Sequence, residues 1–172
     1  MRRPLSTFIR VQGIGAAAGN MVCNPLLAWL MNRETQAVTL FGPRGIVLDT
    51  AITSVISTMA VTMVVAFGTR REQNAGRLEV PAGGSRIGGW LARLPRPPWA
   101  LGLVLGAGVA LVLVALVLAI FTLLGNPAVP FTAFLVVKAA YTGALGYVVS
   151  RWVILRQLLL PAGAEATFRI PS

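Results

Sequence analysis

Four long apolar runs, separated by polar or Gly/Pro-rich connections, organise the chain. The plainest covers residues 100–124, which carry no charge and one side-chain polar group, Thr122. At ~1.5 Å per helical residue it can cross a ~30 Å hydrocarbon core with some tilt. Residues 46–68 form a second run that holds Asp49 and several hydroxyls, and residues 131–154 a further run with Lys138 near its start. Residues 8–31 are the least apolar, interrupted by Gln12, Asn20, Asn24 and Pro25. The pattern predicts an all-α polytopic protein, a single membrane domain built as a four-transmembrane-helix bundle.

The N-terminal run has a rival explanation. A secretory signal needs a basic start, an apolar core and a small-residue cleavage site. Met1-Arg2-Arg3 and Ala16-Ala17-Ala18 suit the two ends, but Val11-Gln12-Gly13-Ile14-Gly15 is too polar and too short for the core. The segment is therefore expected to be a retained first span.

Arginines in the connections set the expected orientation. The connection at 69–98 carries Arg70, Arg71, Arg77, Arg86, Arg93 and Arg96. The N-terminal end adds Arg2, Arg3 and Arg10, and the C-terminal end, with its tail 155–172, adds Arg151, Arg156 and Arg169. The two remaining connections hold only Arg33 and Arg44. Every basic cluster falls on one side, so both termini are expected in the cytoplasm of a bacterial-type inner membrane. Trp29, Trp99 and Trp152 fall at span ends, as an aromatic belt requires. Within the long connection, Ile87, Trp90, Leu91 and Leu94 have helical spacing, with Arg86, Arg93 and Arg96 around them. Two readings stay open there: a short interfacial helix over 86–96, or an irregular solvated loop favoured by Gly88 and Gly89.

Composition sharpens this picture. Of 172 residues, 56% are hydrophobic and 12% charged, about half the charge of an ordinary soluble domain. Mean hydropathy is +0.76. The net charge of +10 would suit nucleic acid, but its placement beside the apolar runs marks it as a topology signal. No nucleic-acid partner is expected, and anionic lipid headgroups at the cytoplasmic face are. The chain has no histidine and one cysteine, Cys23, so the usual zinc, haem and iron–sulfur ligand sets are missing. No cofactor and no metal are expected. Asp49 is the only acid in any run, and Gly83-Gly84-Ser85-Arg86 lacks the ending of a phosphate loop, so no catalytic set is predicted.

Ionisable groups inside a span cost roughly 2.5–3.5 kcal/mol on insertion scales, so they face the interior and find partners. Asp49 is about 4–5 Å below the outer start of its helix and Lys138, the only lysine, about 10 Å below its own. A lysine stem can climb toward an acceptor nearer the surface, so the two can pair. Asn24 lies at a similar depth, with Asn20 one turn deeper on the same face. Thr53 and Tyr141 complete an expected polar layer of Asn20, Asn24, Asp49, Thr53, Lys138 and Tyr141. Pro25 would free a carbonyl beside it. The layer has two open readings: a structural clamp that fixes helix register, or a solute, ion or proton site facing the periplasm.

The hydroxyls of Thr50, Thr53, Ser54, Ser57, Thr58 and Thr62 are expected to spread over several faces and bond back to their own helix. Gly15 with Gly19 and Gly102 with Gly106 form GxxxG pairs that permit close helix approach, within the chain or between copies.

The arrangement resembles small four-span bacterial inner-membrane proteins of unassigned, loosely permease-like function. The similarity is carried by Asn20, Asn24 and Ala28-Trp29, by Gly42-Pro43 ahead of Asp49, by Leu94-Pro95, and by Lys138-Ala139-Ala140-Tyr141. It implies the four-span architecture and a polar set that belongs together. The resulting expectation is a non-enzymatic subunit or accessory factor of a membrane assembly, with other membrane subunits or its own copies as partners. The alternative is a small oligomeric channel or transporter.

Overall fold

The structure, a computed structural model, describes residues 4–78, 94–125 and 128–159. Four helices dominate them: α1 (Leu5–Met31), α2 (Ile46–Asn74), α3 (Pro98–Leu124) and α4 (Phe131–Leu159). All four are long and apolar enough to cross a membrane, as in a multi-pass membrane protein. Most of the 86–96 segment, including Trp90, and the tail beyond residue 159 lie outside the described residues.

Local signals account for the helix ends. Asp49 sits in the first turn of α2, where a carboxylate meets the positive end of the helix macrodipole. Pro98 opens α3, its missing N–H costing nothing at that position. Gly125 closes α3 at φ +62, a left-handed conformation that glycine adopts freely. Pro25 does not break α1, which continues as one helix to Met31.

The helices pack as a series: α1 lies along α4, α4 against α2, and α2 along α3. α1 and α2 touch only locally, and α1 and α3 share no comparable interface. The two arginine-poor connections meet in a short antiparallel ribbon that the sequence pattern did not announce. Here β1 (Ala37–Thr39) pairs with β2 (Ala128–Pro130), Val38 opposite Val129. The Phe131 N–H extends the ribbon by donating to the Gln36 carbonyl at 3.0 Å. Two apolar cores result. One, near the ribbon, joins Ala28, Val38, Ile46, Phe131 and Phe134. The other, toward the arginine end, is built on Phe8, Val65, Ala66, Leu145, Val149, Val153 and Ile154.

The two GxxxG pairs differ in what they meet within the chain. A Cβ added at Gly15 or Gly19 would meet nothing within 4 Å, so that pair supports no contact within the chain. The close α1–α4 approach falls instead at Gly13, against the Tyr147 ring, and at Gly146, where a Cβ would come 2.7 Å from the Ala16 carbonyl oxygen. On α3, Gly102 and Gly106 do mediate close approach, each facing α2 backbone at Met59 and Val55. That glycine face is therefore buried within the chain.

The α2 hydroxyls depart from expectation. Thr50, Ser54, Ser57, Thr58, Thr62 and Thr69 form one buried stripe instead of scattering. Ser54, Thr58 and Thr62 have no hydrogen-bond partner among the described residues. Thr58 and Thr62 pack against Gly106 and Gly102, where α3 comes closest to α2.

Candidate functional site: an intramembrane ion pair below a cleft

Asp49 and Lys138 meet. The Lys138 Nζ donates to both Asp49 oxygens, at 2.5 and 2.6 Å, and to the Thr53 hydroxyl at 3.0 Å. An ammonium has three donors and no acceptor, so α2 occupies all of them. The ring of Phe134, one turn before Lys138, lies 5.4 Å from the ammonium and adds its π-face. Lys138 is only 3% exposed. Asp49 is less enclosed, its side chain 26% exposed. The buried Tyr141 hydroxyl is placed near Asp49, Thr50 and Thr53 but makes no hydrogen bond of standard geometry.

The two asparagines do not join this pair. Asn24 Nδ2 donates to the Asn20 carbonyl oxygen and Oδ1, at 3.2 and 3.1 Å. Its own Oδ1 accepts from the Ser57 hydroxyl at 3.0 Å, which marks where α1 touches α2. Ser57 is eight residues, about 12 Å, along α2 from Asp49. The expected single layer thus bonds as two tiers, one of Asp49, Thr53 and Lys138 with Tyr141 beside them, the other, one turn further along α2, of Asn20, Asn24 and Ser57, while Asn24 and the pair still line one cleft. Thr142, absent from the expected set, links the tiers. Its hydroxyl lies 2.7 Å from the Lys138 carbonyl and 3.1 Å from the Asn20 carbonyl, with one proton to share. Ser57, Phe134 and Thr142 could have been found from spacing. Ser57 continues the Asp49–Thr53 face by a further turn, and Phe134 and Thr142 flank Lys138 at four residues on either side.

Above the pair, the outer halves of α1 and α2 diverge over α4 and leave a cleft of about 340 Å³. Asp49, Thr53 and Lys138 line its floor, Asn32, Thr35 and Arg44 contribute polar groups, and Leu27, Leu48, Ile52 and Phe134 line apolar walls.

The predicted anchors are distributed over both ends. Trp29 is near the ribbon end and stacks under Arg33 at 5.3 Å, while Trp99 and Trp152 lie toward the arginine end. All three present exposed ring surface, as interfacial tryptophans do. Among the described residues no three His, Cys, Asp or Glu side chains gather as a metal site would need. No family model matches this chain, and no curated protein or solved structure matches it either.

Proposed function

We propose that this is a non-enzymatic inner-membrane protein of bacterial type, a four-helix bundle with both termini in the cytoplasm, acting as a subunit or accessory factor of a membrane assembly. One observation carries this reading: all three donors of the Lys138 ammonium are spent on α2. A cation so completely engaged has no charge to offer a passing solute, whereas it holds α4 to α2 in a single register. The series packing supports a subunit role, because α1 and α3 end the row with long apolar flanks available to neighbours. Arginines at the opposite end from the ribbon suit the cytoplasmic leaflet and its anionic headgroups.

A second reading, an oligomeric channel or transporter, is favoured by the cleft above the pair and by the part of Asp49 still open to it. The two are separated by reconstituting wild type, Asp49→Asn, Lys138→Met and the double variant in vesicles. The assembly reading expects no ion or solute flux from any of them, and a constant foreign partner on purification in mild detergent. Wild-type flux abolished in single variants that still fold would overturn it in favour of transport.

A further inference from the structure

The cleft above the Asp49–Lys138 pair has a polarity of its own, set by which hydrogen-bonding groups the bundle has already engaged. On its floor every donor of Lys138 goes to α2, and both N–H groups of the Asn24 amide go to Asn20. What remains there is acceptor capacity. Each Asp49 oxygen takes one bond from Lys138 and keeps a further lone pair, and 26% of the side chain is still open. At the mouth the balance reverses. Arg44 lines the cleft just before α2 begins at Ile46, is exposed, and makes no ion pair among the described residues. Its guanidinium brings donors and a positive charge.

Position decides what can enter. Leu48 and Ile56, which both line the cleft, are eight residues or about 12 Å apart along α2. The apolar edges open outward: Leu27 is 56% exposed, Ile52 50% and Ile56 62%. Within a span such side chains face acyl chains, so the cleft is reached from the bilayer. Trp29, with Arg33 over its ring, sets headgroup depth at this end of α1. The occupant is therefore amphipathic, with its polar head near Arg44 and its apolar part along Leu27 and Ile52. Charge chooses the head. Arg44, Asp49 and Lys138 are the ionisable residues among the described lining, so the cleft carries one net positive charge. A phosphodiester cancels that charge and matches the guanidinium fork. An ammonium arm on it would leave the charge uncancelled and set a second cation beside Lys138, whereas a hydroxyl arm donates to Asp49 without repulsion. Asp49 is about 4–5 Å in from the start of α2, the reach of a short headgroup arm.

We propose that this cleft binds one anionic phospholipid whose headgroup bears hydroxyls, with its phosphate at Arg44 and a hydroxyl donating to Asp49. The inference rests on the chain spanning a membrane and on neither functional reading, because a bound lipid suits an assembly subunit and a transporter alike. Its failure would leave the flux and copurification measurements standing.

The test is native mass spectrometry of the full chain released from neutral detergent. It is titrated with phosphatidylglycerol, with phosphatidylmethanol, which keeps the charge and lacks the hydroxyls, and with phosphatidylethanolamine. Wild type is expected to take up one equivalent of phosphatidylglycerol saturably, and either comparison lipid about tenfold more weakly. Arg44→Gln should weaken phosphatidylglycerol about tenfold, and Ile52→Trp, which fills the cleft, should abolish its uptake. Arg10→Gln, at the other end of α1, should change nothing. Arg44 and Ile52 are both exposed, so neither change threatens the fold. Equal uptake of phosphatidylglycerol and either comparison lipid marks ordinary lipid contact and overturns the proposal, as does equal binding by wild type and Arg44→Gln. A dimer that Ile52→Trp abolishes, without saturable lipid uptake, overturns it in favour of a second copy.

Discussion

A lysine that gives all its protons to one helix from another is a clamp, and its energetics follow from what remains when one partner goes. Asp49→Asn leaves a buried ammonium facing a neutral amide, and Lys138→Met leaves a carboxylate at the floor of an apolar-walled cleft. Each single change should cost about 3–5 kcal/mol, because removal of one partner strands a charge. The double variant strands none and should recover most of that loss, read as thermal midpoints in the same detergent. If the two single losses simply add in the double variant, the pair is not coupled. Thr53→Val removes only the third acceptor and should cost about 1–2 kcal/mol. The pair itself was legible in the sequence, since a lone lysine and a lone intramembrane acid near matching ends have few other partners. The separate bonding of Asn20 and Asn24 was not, because it depends on which side chains of α2 and α4 stand opposite α1.

At the scale of helices, space rather than polarity decides which contacts form. Gly106 is pressed on the α2 backbone at Val55, and Gly146 on the α1 backbone at Ala16, where no rotamer change can make room. Replacing either by leucine should destabilise by about 1–3 kcal/mol or more, as overpacking does. Gly19→Leu should be nearly silent, since nothing lies within 4 Å of its side-chain position. Proteolysis or thermal melting in detergent ranks the three. If Gly19→Leu proves as damaging as Gly106→Leu, the helix pairing described here is wrong. A GxxxG spacing marks where a helix can be approached, and Gly15 and Gly102 show that it cannot name the approaching partner.

For the whole molecule, the ribbon is the feature that ties topology to architecture. It binds the connection after α1 to the one before α4, so those two connections must share a side of the membrane. In a Cys23→Ser background, Thr39→Cys with Ala128→Cys should crosslink under mild oxidation, because these positions face each other in the register. In vesicles of known sidedness, a membrane-impermeant thiol reagent should label Thr39→Cys from the side opposite Asn74→Cys. Labelling of both from one side would contradict the single crossing by α2 between the ribbon and Asn74. With α1 and α3 each packed along a single neighbour at the ends of the row, the fold leans on α4, which contacts α1, α2 and both strands.

Length and composition of the apolar runs determined the four spans by themselves, because hydrocarbon admits no unpaired backbone and leaves a helix as the local solution. The placement of Asp49, Lys138 and the arginines determined the ion pair as a candidate and the basic end of the molecule, since stranded charge and loop charge are read one segment at a time. Tertiary structure alone decided the rest. Which glycines are pressed, why six hydroxyls of α2 share one stripe and how two loops form a ribbon all depend on what stands opposite. A single helix carries no record of its neighbour, and in a membrane, where apolar residues do not drive helices together, close packing and polar contacts choose that neighbour.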